Sequence, residues 1–211
     1  MIQLYTWKTP NGRKPAIMLE EVRLPYQVHA VDLTAEEQFT PNFLAISPNN
    51  KVPAIIDEET GREPQALFES GAILMYLAEK SGMLLPPPGP ARWAVYEWLY
   101  WSIGGPGPML GQLNFFAVRS SEKAPLAIDR FRKEGERLLR VLEMRLTAQP
   151  FIGGADYSIA DIASYPWIEE ARVAMSEPLG EAFASSPALQ DWLARVSARA
   201  AVKKGMHVLE Q

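Results

Sequence analysis

Over the first eighty residues the apolar positions come in short runs separated by turn residues. From about residue 90 onward they recur every three to four positions. The first stretch therefore predicts strands alternating with helices, and the second predicts helices alone. Ile2 to Trp7 reads as a buried strand, Thr9-Pro10-Asn11-Gly12 as a turn, and Lys14 to Val22 as a helix that tolerates Pro15 in its first turn. Tyr26 to Val31 alternates as a second strand, which makes a parallel, right-handed βαβ unit. Thr40-Pro41 has the form of an N-cap followed by proline at the first helical position, opening a short helix to about Ile46. After the turn Ser47-Pro48-Asn49-Asn50 come a strand over Ala54 to Asp57, a hairpin at Glu58-Glu59-Thr60-Gly61, a strand over Ala66 to Phe68 and a helix from Ser70 to Lys80.

The order β-α-β, then β-β-α, predicts a thioredoxin-like α/β domain over residues 1–81, with a mixed sheet and helices on both of its faces. Ser81-Gly82 and Leu85-Pro86-Pro87-Pro88-Gly89-Pro90 form a stiff linker. An all-helical domain is expected over 88–211, with helices near Ala91 to Ile103, Pro108 to Val118, Glu122 to Thr147, Ser158 to Met175, Pro187 to Ala198 and Ala201 to Leu209. The fold class is thus α/β followed by an all-α bundle. Ser158-Ile159-Ala160-Asp161 has the Ser-x-x-Asp form of a capping box, a structural role.

A chain that is 47% hydrophobic and 22% charged, with six tryptophans, can bury a substantial core. Its net charge of -4 gives no electrostatic reason to bind nucleic acid or an anionic membrane. With no basic leader at Met1-Ile2-Gln3-Leu4-Tyr5 and no run of about 20 apolar residues, the expected location is the cytosol. The absence of cysteine removes disulfides, thiolate-held zinc, a redox Cys pair and a Cys nucleophile. His29 and His207 lie far apart in sequence, so neither a metal site nor a Ser-His-Asp triad is expected. Any nucleophile stronger than a hydroxyl must arrive with the substrate.

Two places carry candidate chemistry. Val52-Pro53 follows a polar turn and precedes a strand, a position where the prolyl bond is either an ordinary trans bond or a cis bond that fixes the turn. Glu69-Ser70 opens a helix, whose unpaired amides and positive dipole end suit a substrate carboxylate while Glu69 suits an ammonium; the competing reading is that both residues cap their own helix.

Across its length the sequence resembles the glutathione transferases, through Val52-Pro53, Glu69-Ser70-Gly71-Ala72-Ile73 and Tyr157-Ser158-Ile159-Ala160-Asp161-Ile162. Within them it is most similar to the bacterial Nu-class, disulfide-bond reductase-like group related to the yeast nitrogen regulator with prion properties. The residues that carry this are Thr9-Pro10-Asn11-Gly12, Ile46-Ser47-Pro48-Asn49-Asn50-Lys51 and Gly104-Gly105-Pro106-Gly107-Pro108-Met109-Leu110-Gly111-Gln112. The resemblance implies a homodimer with a glutathione site on each thioredoxin-like domain, bordered by the helical domain and the neighbouring subunit. It assigns Glu69 and Ser70 to the γ-glutamyl end, the backbone of Val52 before a cis Pro53 to the cysteinyl amide, Gln38 and Lys51 to the glycyl end, and Arg130 to a glutathione carboxylate.

Thr9 and Asn11 match the residues beside the thiol, where a hydroxyl and the amides of a helix start can lower a thiol pKa; the alternative is plain turn chemistry. Tyr5, the rival thiol donor, lies within a strand and is assigned to the core or a pocket wall. Trp93, Trp98, Tyr100, Trp101, Phe115, Phe116 and Trp167 include two or three acceptor-pocket residues among mostly core ones. The implied activity is glutathione-dependent disulfide reduction. The alternatives are conjugation or peroxide reduction with glutathione, and a regulatory glutathione-binding protein with little turnover.

Overall fold

A computed structural model of the chain describes residues 1–61 and 63–210. The elements are β1 (Ile2–Thr6), α1 (Pro10–Val22), β2 (Tyr26–Ala30), α2 (Pro41–Leu44), β3 (Ala54–Asp57), β4 (Gln65–Phe68), α3 (Ser70–Ser81), α4 (Pro90–Gly104), α5 (Pro106–Leu113), α6 (Pro125–Ala148), α7 (Ile159–Ala174), α8 (Ser176–Ala184), α9 (Pro187–Ser197) and α10 (Ala200–Met206). A 3-10 turn at Glu37–Phe39 and a π-helical stretch at Asn114–Arg119 complete the list. The chain divides into two compact units, one of Met1–Leu85 with the tail from Arg199, the other of Pro86–Ala198.

The first unit is the mixed sheet that the element order predicted, with its four strands in the order β2-β1-β3-β4. β1 runs parallel to β2 and antiparallel to β3, and β3 antiparallel to β4. Leu4 and Ile55 are fully buried, as are Ala16 to Leu19 of α1 and Ile73, Leu74 and Leu77 of α3, so the core lies where these helices cover the sheet. The registers pair Thr6 with Ala30, Tyr5 with Ala54 and Ala54 with Phe68. The carboxyl ends of β1, β2 and β4 and the amino end of β3 therefore meet at one end of the sheet.

α1 starts at Pro10, earlier than the pattern predicted, because the Thr9 side chain caps it by accepting from the Gly12 amide at 3.0 Å. Asn11 and Gly12 thus sit in the first helical turn. A Cβ at Gly12 would lie 2.3 Å from the Trp7 carbonyl oxygen and 2.6 Å from Thr6 Oγ1, so the turn closes onto β1 only with glycine there.

The tail departs from the expected division, which assigned it to the helical domain. α10 packs on α1 of the first unit, where Gly205 lies against Ile17. Arg199 donates from Nε and Nη2 to the two carboxylate oxygens of Glu21 at 2.6 and 2.8 Å, and Lys204 pairs with Glu20 at 2.9 Å.

The second unit is a helical bundle in which α4 ends at Gly104, Gly105 caps it and α5 continues from Pro106. Gly107 and Gly111 let Trp167 pack against α5, where a Cβ at either would approach its ring to 3.3 and 3.2 Å. The helix predicted over Pro108 to Val118 is α5 followed by the π-helical stretch, and the one predicted from Glu122 starts at Pro125, the N1 position. α8 was not predicted: Pro178 and Gly180 give its sequence the look of a loop, yet a first-turn proline lacks only an amide that would have had no helical partner.

The capping box at the start of α7 is present, and its acid is the bundle's polar anchor. Buried Asp161 accepts from Ile152 N at 2.9 Å, Trp192 Nε1 at 2.8 Å, and the amide and hydroxyl of Ser158 at 3.0 and 3.3 Å.

Candidate functional site

The strand registers decide which loops can share a site. The β1–α1 connection carries Thr9, with Asn11 just inside the helix. Gln38 follows β2; Lys51, Val52 and Pro53 lead into β3; Glu69 and Ser70 follow β4. All four segments leave the sheet at the same end, to which α1 and α3 also present their N-termini. The expected first-unit residues are therefore gathered on one side of one sheet, with two positive helix ends among them.

On the α1 side, the Thr9 oxygen is engaged as the acceptor for Gly12 N, which leaves its hydroxyl hydrogen to donate elsewhere. The Thr9 amide itself donates to the Trp7 carbonyl at 2.7 Å, fixing the loop from below. Asn11 is half-buried at the second helical position. Tyr5 stacks on His29 with ring centroids 4.6 Å apart and packs with Phe43 at 6.5 Å, in a cluster that includes Val31, Val52 and Ala54. It is packed, partly buried, against a core cluster of the first unit.

On the α3 side, Glu69 occupies the N-cap with φ 70°, an unusual backbone for a non-glycine residue, and its side chain is exposed. Asn49 Nδ2 lies 3.5 Å from its Oε1. Ser70, the first residue of α3, is 7% exposed. Lys14 belongs to this side too and was not singled out from the sequence. It is only 1% exposed; burial lowers its pKa to about 7, against the opposing pull of the Glu69 charge. The signal was there to read: Lys14 shares the apolar face of α1 with Ile17 and Met18, three and four residues on.

Between these sides the Val52–Pro53 bond is cis, and Ser47 Oγ donates to the Lys51 carbonyl at 2.9 Å. Lys51 is exposed, and Gln38 is half-buried, with its Oε1 enclosed and without a hydrogen-bond partner among the described residues.

Arg130 belongs to the other unit, exposed on α6. It lines a groove of about 670 Å³ with Met109, Leu126, Phe131, Arg137 and Arg140. Of the aromatic residues, Trp167 is committed to α5, Phe116 stacks on Phe131 at 5.9 Å, and Trp93 and Tyr100 are 67% and 61% exposed. Among the described residues, no group of three or more His, Asp or Glu is placed to hold a metal ion, and no helix is long and apolar enough to cross a membrane.

Residues 1–79 match the model of the glutathione S-transferase N-terminal domain and residues 125–195 that of its C-terminal domain. The disulfide-bond oxidoreductase YfcG of Escherichia coli is 45% identical over 211 residues, covering 98% of this chain and 94% of the relative. The disulfide-bond oxidoreductase YghU of the same organism is 37% identical, over 97% of this chain and 73% of its own length. Among solved structures, a glutathione transferase from Pseudomonas putida with one glutathione disulfide bound per subunit superposes with a TM-score of 0.93 at 41% identity, covering 98% of this chain and 91% of that one. A family member from Pseudomonas fluorescens with two glutathiones bound gives 0.92 at 44%, covering 97% and 92%. With both domain models matched in order and YfcG aligned over 98% of this chain and 94% of its own length, the chain belongs to the glutathione S-transferase family.

Proposed function

We propose that this protein is a glutathione-dependent thiol–disulfide oxidoreductase of the Nu class, acting as a cytoplasmic homodimer. One observation carries the reading: the chain has no cysteine, yet it holds a hydroxyl free to donate, that of Thr9, at the N-terminus of a helix. Such a site stabilises a thiolate that the ligand brings. The disulfide-bond oxidoreductase names of YfcG and YghU, and the glutathione disulfide in the Pseudomonas putida structure, point the same way.

In this reading glutathione lies along the sheet end. Glu69 receives its ammonium, while Ser70 and the first amides of α3 take the α-carboxylate. The Val52 backbone pairs with the cysteinyl amide, Gln38 and Lys51 serve the glycyl end, and Arg130 pairs with a glutathione carboxylate. Thr9 and Asn11 donate to the sulfur. A first glutathione thiolate attacks one sulfur of a small disulfide; the S–S bond breaks, one thiolate leaves and a mixed disulfide forms. A second glutathione thiolate attacks the glutathionyl sulfur, releasing the other half and glutathione disulfide, so that two glutathiones supply the two electrons. The protein contributes position and charge stabilisation.

Purified protein with glutathione and 2-hydroxyethyl disulfide is expected to turn over, and Asn11→Ala to lower kcat/KM at least about tenfold, equivalent to about 1.4 kcal/mol of transition-state stabilisation. Unchanged turnover in that variant removes Asn11 from the mechanism. Activity confined to aryl halides or hydroperoxides would make the protein a conjugating enzyme or peroxidase, and binding without turnover a regulator.

A further inference from the structure

We infer that the groove along the outer face of α6 seats the acceptor of the exchange, and that Arg140 makes it selective for disulfides whose halves carry a carboxylate. This deepens the glutathione reading above and rests on it: Arg130, which that reading gives to a glutathione carboxylate, is one of the residues lining the groove.

The helix buries Gly135, Leu138, Leu139, Leu142 and Leu146 and turns its opposite face outward. On that face the groove of about 670 Å³ has an apolar part formed by Met109, Leu126 and Phe131. Leu126 is 85% exposed, while Phe131 is held flat against Phe116, so open apolar surface lies beside the charges. A second hollow of about 390 Å³ shares Arg137 and Arg140 and carries the trough on past Val141 and Met144. Volumes of roughly 300–1,000 Å³ are those that small organic ligands occupy.

The charges at the groove do not cancel. Four cations, Arg130, Lys133, Arg137 and Arg140, face two carboxylates, on a chain whose net charge is -4. Both carboxylates are already engaged. Asp129 accepts from Lys133 at 2.7 Å and from Arg132 at 2.9 Å, and Glu134 accepts from Nη2 and Nε of Arg137 at 2.7 and 2.9 Å. Glu136 is paired with Arg132, and Glu143, one turn beyond Arg140, accepts from the amides of Ala188 and Leu189 at 3.2 and 2.9 Å. Among the described residues Arg130 and Arg140 are left without a hydrogen bond or an ion pair, although the Glu134 charge reaches Arg130.

With Arg130 given to glutathione, Arg140 is the cation left for the acceptor, about 15 Å further along the helix axis. Its guanidinium fork suits a carboxylate, and the exposed apolar surface suits the stem that carries it. In the exchange the glutathione thiolate attacks one acceptor sulfur, the S–S bond breaks, and the other half departs as a thiolate with its carboxylate still attached. Arg140 is therefore a specificity-determining residue for the departing half.

The test is a charge series of small disulfides with glutathione as reductant: dianionic 3,3′-dithiodipropionate, neutral 2-hydroxyethyl disulfide and dicationic cystamine. Each kcat/KM is divided by the uncatalysed rate constant with glutathione in the same buffer, because the three leaving thiols differ in strength. Wild type is expected to favour the dianion over the dication at least about fivefold at low salt, with the preference shrinking as ionic strength approaches about 0.5 M. Arg140→Gln is expected to cut the preference at least about threefold, Arg140→Lys to keep most of it, and Arg140→Glu to abolish or reverse it. Each preference is a ratio within one protein, so a loss of folded enzyme cancels. A wild-type ratio near one, or a ratio unchanged in Arg140→Gln and Arg140→Glu, overturns the assignment and leaves the glutathione reading intact. Failure of wild type to turn over any of the three overturns both.

Discussion

Gly205 of α10 lies so close to Ile17 of α1 that a methyl group at 205 would come within 2.5 Å of the Ile17 Cα and amide nitrogen. Both atoms are backbone, so the helices themselves would have to separate. Gly205→Ala is expected to cost about 1–3 kcal/mol in chemical denaturation. Arg199→Ala, which removes a pair whose arginine is 36% exposed, should cost less than about 1 kcal/mol. A larger loss in Arg199→Ala than in Gly205→Ala would mean that the ion pair, more than the close helix contact, holds the tail.

Thr9 combines a cap with a proposed thiol donor, and three substitutions separate the two. Thr9→Val removes both, and should lose about 1 kcal/mol of stability together with most turnover. Thr9→Gly restores much of the cap, at a cost of a few tenths of a kcal/mol, without restoring the hydroxyl. Thr9→Ser restores both. Disulfide-exchange rates that follow the hydroxyl through the series, while melting temperatures follow the cap, support the donor role; rates that follow the cap refute it.

Asp161 receives four donors in a buried setting, from Ile152, Trp192 and both polar groups of Ser158. Asp161→Ala strands all four and is expected to destabilise the helical unit by about 3–5 kcal/mol. Trp192→Phe deletes one donor and should cost about 1–3 kcal/mol, with the double variant well short of the sum because both act on one network.

Lys14 also makes stability depend on pH. Its folded pKa of about 7 lies below the ordinary 10.5, so between those values the unfolded chain holds a proton that the folded protein has released. Stability attributable to Lys14 therefore rises as pH increases from about 7 to about 10.5, by up to on the order of 5 kcal/mol. Lys14→Met is expected to remove this rise and to exceed wild type in urea denaturation at pH 6.

The strands, α1 and α3 were legible because proline, glycine and the turn run Ser47 to Asn50 punctuate the first unit, and their order alone brings the candidate loops to one sheet end. The α7 capping box was legible for the same local reason. What escaped was whatever tertiary context overrides. α8 runs through Pro178 and Gly180 because the bundle packs it, and α10 leaves the helical segments because a glycine lets it settle on α1. Lys14 escaped because a charged residue at a helix start reads as solvated, although its spacing from Ile17 and Met18 puts it on the buried face of α1.

The opposite end of the sheet has a separate use. There Ile2 pairs with Asp57, the Met1 carbonyl accepts from Glu58, and β3 turns back into β4 through Gly61, which has open space where a side chain would be. None of the candidate site residues lies on that rim. It is the natural attachment point for a fluorophore, an affinity handle or an inserted peptide, a full strand length away from the loops proposed to hold glutathione.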